Sequence, residues 1–195
     1  VSLSNSSKWD ERKQAFTNLS IYLKNNINKT SNETVSLIIK FIKFKLKDFK
    51  ESNLNIVKEA IDVYETLLDI PGFSKKHTSY AIKKLLDKWG DAKLRASVNA
   101  FFIKLMENQT PKHVLNILLK YAANKTPNII KEFNTFVVSA IDDFGIAVMP
   151  VKEIVDYTKA IANNANVQIR NGASSILCTI YKYLGDKLKM FLKDG

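Results

Sequence analysis

Residues 86–95 read Leu-Asp-Lys-Trp-Gly-Asp-Ala-Lys-Leu-Arg, and this stretch predicts a sharp turn between two helices. We expect one helix to end at Trp89, the following glycine to make the turn, and Asp91 to cap the next helix. Lys93 and Arg95 then fall at the start of that helix, where its dipole disfavours each cation by about 0.3–1 kcal/mol. Helix stability does not account for two cations at this position, whereas an acidic binding partner would.

The composition indicates a folded, basic chain with an anionic partner. Of the 195 residues, 46% are hydrophobic, and Lys and Arg outnumber Asp and Glu by 30 to 19, which gives a net charge of +11. Nucleic acid, an anionic membrane and an acidic protein surface would all match this charge. No apolar run approaches the length of a membrane span, so we expect no membrane partner. The single cysteine, Cys178, excludes an internal disulfide framework, fits a reducing cytosol and is expected in the core of the last helix.

Apolar residues recur at helical spacing along the chain, and no hairpin signal separates two alternating runs. Strong start signals come from proline at the first helical position in Thr110-Pro111 and Thr126-Pro127, and from the cap residue Asn166. The predicted helices cover 8–25, 33–47, 54–68, 75–89, 92–108, 111–123, 127–144, 150–162, 167–184 and 188–192.

Short, sharply capped helices in pairs predict an all-α fold, an α-solenoid of about five HEAT-type repeats that forms a flat paddle. The repeats are predicted at 1–28, 29–70, 71–109, 110–147 and 148–187, with a short C-terminal tail, in a single domain over 1–195. Stacking such pairs brings every within-pair turn to one edge. That edge is expected to collect Lys8, Trp9 and Arg12; Lys50 and Asn53; Trp89, Lys93 and Arg95; Lys125 and Lys131; and Asn166 and Arg170.

Three of these turns carry a family resemblance. The first reads Lys-Trp-Asp-Glu-Arg over 8–12, the third Gly-Asp-Ala-Lys-Leu-Arg over 90–95, and the fifth Asn-Val-Gln-Ile-Arg over 166–170. With five HEAT-type repeats, they resemble a TOG domain, the tubulin-binding module of the multi-TOG microtubule polymerases. The resemblance spans nearly the whole chain, and the final stretch, Ile169–Leu192, is most similar to a third TOG domain of such an array.

The resemblance implies that the turns grip an αβ-tubulin heterodimer, the first three addressing β-tubulin and the last two α-tubulin. Trp9 matches a tryptophan that packs against β-tubulin, Lys93 and Arg95 match basic residues of the third turn, and Arg170 matches an arginine that pairs with acids of α-tubulin. Val167 stands where the family usually has proline, which predicts a looser fifth turn. Microtubules and neighbouring TOG domains are further implied partners, and microtubule plus ends, spindle and spindle poles or centrosome are the implied cytoplasmic locations.

Two other functions fit the residues. A nucleic-acid-binding α-solenoid would use the basic edge on phosphates and would show a steep salt dependence, although basic residues spaced by repeat and accompanied by tryptophan disfavour it. A scaffold solenoid that binds another protein is the second alternative, and a TOG domain of a rescue factor or ciliary protein is a variant of the main prediction. Trp89 is expected to pack between its two helices, and the Lys40–Lys47 series to be a solvated face that attracts acidic tubulin tails over about 10 Å.

The sequence predicts neither an enzyme nor a cofactor. His77 and His113 lie on separate predicted helices, without carboxylate or cysteine spacing for a metal. No Gly-rich phosphate-binding motif is present, and Cys178 has no partners for nucleophilic catalysis nearby.

Overall fold

The computed structural model describes residues 2–71, 73–123 and 125–192, and these residues form helices joined by turns. None of the described residues lies in a β-strand. The all-α prediction is therefore confirmed, as is the organisation in successive helical pairs. Proline followed by glycine at Pro71-Gly72 predicts a break after the third predicted helix, and Gly72 lies outside the described residues.

The chain divides into two compact units, Val1–Asn108 and Gln109–Gly195. The division falls close to the predicted boundary between the third and fourth repeats. The single domain and the five repeat boundaries themselves stay predictions.

Unit 1 contains the first five long helices, and α1 packs along α3. Its core is rich in aromatic residues: the Tyr64 ring lies 6.0 Å from Phe49 and 6.2 Å from Phe101. Ser20 and Thr66 share a buried hydroxyl–hydroxyl hydrogen bond of 3.1 Å between α1 and α3. The helices are α1 Trp9–Asn25, α2 Asn32–Lys45, α3 Leu54–Leu67, α4 Lys75–Leu86 and α5 Arg95–Gln109.

Unit 2 is built in the same way, with α7 packed along α9. The Phe133 and Tyr157 rings meet at 5.1 Å, and the Tyr157 hydroxyl donates to Asn134 Oδ1 at 2.6 Å. The helices are α6 Pro111–Ala122, α7 Pro127–Phe144, α8 Val151–Ile161, α9 Val167–Leu184 and α10 Leu188–Leu192. Short 3₁₀ turns occur at Leu3–Asn5 and Ile27–Lys29 in unit 1, and at Ile146–Val148 and Gly185–Lys187 in unit 2.

Helix starts predicted from caps and prolines are confirmed at Pro111, Pro127 and Val167, and Gly145 and Gly185 end α7 and α9 with positive φ angles of 82° and 53°. Glycine reaches this backbone region without the steric cost that a side chain imposes.

The turn at 87–94 differs from the prediction. α4 ends at Leu86 rather than Trp89, and α5 begins at Arg95 rather than just after Asp91. The Asp91 carbonyl accepts from the backbone N–H groups of Leu94 and Arg95, at 3.1 and 3.0 Å. These bonds close a separate turn ahead of the helix, so Lys93 lies before α5 and Arg95 is its first residue.

Candidate binding surface at the helix-pair turns

The first turn leads into α1 and exposes a tryptophan. The Lys8 backbone N–H donates to Ser6 Oγ at 3.1 Å, and the Lys8 ammonium lies 3.3 Å from Glu11 in an exposed ion pair. Trp9 opens the helix and is 47% exposed, so much of its indole is available to a partner. Tryptophan supplies a large apolar area and an N–H donor, which suits a binding surface.

Arg12 closes this turn from within the helix. Its Nη1 donates to the carbonyl oxygens of Ser6 and Ser7, at 3.1 and 2.9 Å. Its Nη2 lies 3.6 Å from Glu51 Oε2, on the second turn of the same unit. Glu51 Oε1 in turn accepts from the Asn53 backbone N–H at 3.0 Å, so Arg12 links the first two turns.

The second turn follows an unusual backbone path. Lys47, Asp48 and Phe49 have φ angles of 48°, 57° and 68°, a left-handed region that costs residues with a side chain roughly 1–2 kcal/mol each. Phe49 is buried, and Asp48 accepts from the Tyr80 hydroxyl at 2.9 Å and pairs with Lys84 at 2.5 Å. The hydrogen bond from Lys84 lowers the pKa of Asp48. These contacts hold the strained path in place.

Lys50 and Asn53 follow on the same turn. Lys50 is exposed and makes no side-chain ion pair among the described residues. Asn53 caps α3, where its side-chain oxygen accepts from the Asn55 backbone N–H at 3.0 Å.

The third turn buries its tryptophan. The predicted packing of Trp89 between helices is confirmed: the side chain is fully buried, its ring lies 4.9 Å from Phe102, and its Nε1 donates to Asn99 at 2.5 Å. Asp91 Oδ1 accepts from the Lys93 backbone N–H at 2.9 Å, and the Lys93 side chain is exposed. Arg95 is half-buried at the helix start.

In unit 2, the fourth turn places Lys125 before the cap Thr126, and Lys131 on the second turn of α7. Lys125 is half-buried. The Lys131 ammonium donates to Gln168 Oε1 at 2.8 Å and so joins α7 to the start of α9.

The fifth turn repeats the geometry of the first. Arg170 Nη1 donates to the carbonyl oxygens of Asn164 and Ala165, at 2.7 and 3.0 Å, which are the residues six and five positions earlier, as for Arg12. Asn166 caps α9 by accepting from the Gln168 backbone N–H at 2.9 Å. Despite valine at position 167, these bonds close the turn, so the structure does not show the predicted loosening.

A second local feature recurs in four turns. A backbone N–H is bonded by the side chain two residues earlier, in the pairs Lys8 with Ser6, Asn53 with Glu51, Lys93 with Asp91, and Asn166 with Asn164. Side chains of this kind stabilise turns locally. The recurrence supports treating the turns as equivalent positions of a repeat.

The structure brings some predicted residues together and leaves others apart. Arg12 reaches the second turn through Glu51, and Lys131 reaches the fifth through Gln168. The exposed Lys50 and Lys93 have no hydrogen bond or ion pair that joins their side chains to the other predicted residues. We refer to Lys8, Trp9, Arg12, Lys50, Asn53, Lys93 and Arg95 as the unit-1 turn residues, and to Lys125, Lys131, Asn166 and Arg170 as the unit-2 turn residues.

Two residues escaped sequence reasoning. Glu51, which ties two turns together, carries no signal in the sequence because its partner is 39 positions away in the chain, at Arg12. Phe44 is 75% exposed next to the second turn. Phe44 lies between two lysines and off the apolar stripe of α2, and this pattern in the sequence indicates an exposed aromatic residue.

His77 and Cys178, the other residues considered for chemistry, lie outside the turn surface. Ser74 and His77 form a capping box at the start of α4. Cys178 is exposed rather than in the core, because Ile176 and Ile180 fill the buried stripe of α9 and place position 178 on the opposite side. Across the described ranges, no cluster of His, Cys, Asp and Glu could hold a metal ion, and no helix is long and apolar enough to cross a membrane.

Comparisons with known proteins agree with the helical-pair fold. Protein MOR1 of Arabidopsis thaliana is 26% identical over 199 aligned residues, covering 100% of this chain and 10% of MOR1. Centrosomal protein 224 of Dictyostelium discoideum is 25% identical over 195 residues, covering 96% of this chain and 10% of that protein. This chain thus spans about a tenth of the length of these relatives.

Solved structures show the same fold. Drosophila melanogaster Mini spindles TOG3 has a TM-score of 0.84 at 21% identity, with 100% of this chain and 85% of that chain covered. The MAST/Orbit N-terminal domain has a TM-score of 0.81 at 20% identity, with coverages of 98% and 86%. At these identities the likeness is one of fold, and the position within an array stays a prediction.

The decisive match is to a family model. The XMAP215/Dis1/CLASP TOG domain model matches residues 3–194, nearly the whole chain. The resemblance seen in the turn sequences is thereby confirmed, and the chain belongs to the XMAP215/Dis1/CLASP TOG domain family.

Proposed function

We propose that this domain binds αβ-tubulin heterodimers through its turn residues, by stoichiometric binding and without catalysis. The unit-1 turn residues contact β-tubulin and the unit-2 turn residues contact α-tubulin. Within a longer protein with neighbouring TOG domains, this binding contributes to microtubule polymerisation and plus-end dynamics. The protein acts on the cytoplasmic microtubule cytoskeleton, at plus ends, spindle and spindle poles or centrosome.

The exposed Trp9 is the observation that carries the proposal. Trp9 is 47% exposed in a basic turn, so about half of this large aromatic residue is open to contact with a partner. Lys50 and Lys93, exposed on the turns of the same unit, add positive charge that favours an acidic partner. Holding a heterodimer while sibling domains hold the lattice raises the local concentration of tubulin at the growing end.

Size-exclusion co-elution with unpolymerised αβ-tubulin tests the proposal. We expect the wild type to form a stoichiometric complex and Trp9→Ala to weaken it about tenfold or more, as for a central aromatic contact. Tyr22→Ala is the matched control, because Tyr22 is a 62% exposed aromatic residue elsewhere on α1. That variant should bind as the wild type does.

One observation favours the scaffold alternative. The guanidinium groups of Arg12 and Arg170 donate hydrogen bonds to carbonyls of their own turns. Fewer of their N–H groups are therefore left to bind acidic residues of a partner. If the folded wild type forms no complex with tubulin at micromolar concentration, tubulin binding is refuted as the activity of this domain alone. The scaffold function would then take its place.

A further inference from the structure

One face of α2 combines lysines with an exposed aromatic ring. Lys40, Lys43 and Phe44 lie at helical spacing on α2, and Lys47 follows just after that helix ends at Lys45. All four line one surface hollow. We call these four residues the α2 lysine face. Phe44 is 75% exposed, and Leu37, two helical turns earlier, is 62% exposed. The face therefore offers apolar contact between positive charges.

Most of the positive charge of this face is left without a paired carboxylate. None of its three lysines pairs with a carboxylate in the part of the chain that the structure describes. The nearby acid, Asp48, is engaged by Lys84 and by the Tyr80 hydroxyl. The Lys43 ammonium lies 5.5 Å from the centre of the Tyr80 ring and is attracted to Asp48 without forming a salt bridge with it.

The surface around Phe44 is concave on two sides. One hollow of about 490 Å³ is lined by the α2 lysine face and Asp48. A second, of about 590 Å³, runs from Phe44 and Lys47 to Arg12 and Glu51 on the first two turns. The face is therefore continuous with the unit-1 turn residues.

We propose that the α2 lysine face binds the acidic C-terminal tail of tubulin, a glutamate-rich segment in extended form. Alternate side chains of an extended chain are about 6.6–6.8 Å apart. Lys40 and Lys43, three residues apart on α2, have Cβ atoms about 5–6 Å apart, so two successive glutamates on one side of the tail meet these two lysines. Lys47, just beyond the helix, is placed for a further glutamate. Phe44 packs against the aliphatic stems or an apolar side chain between them.

The proposal rests on the proposed function, because a heterodimer held at the turns brings its tails within reach of the adjoining face. Nucleic acid is the other polyanion that lysines would accept. Continuity with the turn residues favours the tubulin tail, and the choice between them is an outcome of the test.

Fluorescence anisotropy with the whole 195-residue chain tests the face itself. The probe is a short labelled glutamate peptide with a central phenylalanine, and its glutamine analogue is the blank. The triple variant Lys40→Gln/Lys43→Gln/Lys47→Gln is compared with Lys75→Gln/Lys76→Gln/Lys83→Gln, which removes the same charge from exposed positions of α4. We expect the first triple to bind the peptide about tenfold more weakly and the second to bind as the wild type does.

Phe44→Ser gives a second reading without a change of charge. The variant should bind the peptide severalfold more weakly than the wild type. Its thermal stability should be unchanged, because the Phe44 ring is mostly exposed. An equal loss in both triple variants would show that net charge alone matters and would overturn the proposal. Tighter binding of a labelled single-stranded oligonucleotide, lost in the first triple only, would assign the face to nucleic acid instead.

Tubulin whose tails are removed by limited proteolysis separates this inference from the proposed function. We expect the wild type to bind tail-less tubulin severalfold more weakly than intact tubulin, and the Lys40/Lys43/Lys47 variant to bind both equally. If the wild type binds both forms equally well, tubulin binding stands and the inference fails. If it binds neither form, the proposed function fails first.

Discussion

At the scale of single residues, Arg12 and Arg170 make the same bonds in different repeats. Each guanidinium donates from the fourth position of a helix to the carbonyls five and six residues earlier. The fork of an arginine can reach two carbonyls at once, which the single ammonium of lysine does less well. The family resemblance assigns Arg170 to the partner, whereas the structure adds a role in shaping the turn.

Replacing Arg12 by alanine should destabilise the protein by about 1–2 kcal/mol, because two charge-assisted hydrogen bonds and the ion pair with Glu51 are lost together. Arg12→Lys should recover only part of this loss. Urea unfolding measures the change, and Lys13→Ala serves as control, since its exposed 3.5 Å pair with Glu59 contributes less. A change at Arg12 no larger than at Lys13 would show that the guanidinium does not hold the turn.

Asp62 offers a prediction about pH. Burial raises its pKa above the ordinary value of 3.8, and the charges of Glu59 and Glu65 raise it further, while Lys58 and Lys24 oppose the change. A carboxyl whose pKa is higher in the folded state favours folding at low pH and opposes it as pH rises through that pKa. The charged Asp62 therefore destabilises the folded state at neutral pH.

Asp62→Asn should accordingly raise the free energy of unfolding by about 0.5 kcal/mol at pH 7, since it removes the cost of burying a charge and the repulsion from two like-charge neighbours. The gain should shrink as pH is lowered towards 3.8, because Asp62 then becomes neutral in the wild type too. Thermal unfolding across this pH range measures it, with Asp156→Asn on exposed α8 as control. A gain that stays constant with pH would contradict the assigned cause.

At the scale of elements, the sequence predicted most helix starts because caps and prolines act locally. Thr110-Pro111 and Asn166 mark their helices without help from distant residues. The start of α5 could not be predicted in the same way. The residues after Asp91 suit either a hydrogen-bonded turn or the first turn of a helix, and the structure shows the turn. The left-handed path at 47–49 contains no glycine, and the contacts that hold it come from α3 and α4.

Gly172 lies where α9 packs closely against Asn134 of α7. A Cβ atom at this position of α9 would lie 2.4 Å from Asn134 Nδ2 and 2.9 Å from its Cβ. Asn134 is buried on α7, where it accepts from the Tyr157 hydroxyl and donates to the Ile169 carbonyl at 3.4 Å. The absent side chain thus lets α7 and α9 approach closely around a buried polar network.

Gly172→Ala should therefore destabilise the protein by about 1–3 kcal/mol through overpacking and loss of these hydrogen bonds. A loss of stability would be diagnostic, because glycine to alanine in an unobstructed helix interior increases stability by about 1 kcal/mol. Ser174→Ala, an exposed site on the same helix, should change stability little. Chemical denaturation compares the two, and a Gly172→Ala variant as stable as the wild type would mean that α7 and α9 can separate without cost.

At the scale of the whole molecule, composition predicts an anionic partner but not where that partner would bind. Lysines are spread over the chain, and only the structure distinguishes the engaged Lys84 and Lys131 from the exposed Lys50 and Lys93. The division into two compact units near residue 108 left no mark on the sequence beyond a repeat boundary. Family membership follows from the family-model match over residues 3–194, which spans both units.

The net charge of +11 and the exposed tryptophan should act on different rate constants of tubulin binding. Exposed charges steer an acidic partner over about 10 Å at 0.1 M salt and mainly set the association rate. A packed aromatic contact must be broken for release and mainly sets the dissociation rate. We therefore expect Lys50→Ala/Lys93→Ala to slow association severalfold and Trp9→Ala to speed dissociation about tenfold.

Stopped-flow mixing with labelled tubulin at several salt concentrations measures both rates. Lys75→Ala/Lys76→Ala is the control, because it removes the same charge from exposed positions at the start of α4, at the opposite end of that helix from the 87–94 turn. If this control slows association as much as Lys50→Ala/Lys93→Ala does, total charge rather than its placement on the turns governs encounter. If Trp9→Ala leaves dissociation unchanged, the indole is not a contact, and the unit-1 turn residues lose the aromatic anchor on which the proposed binding mode depends.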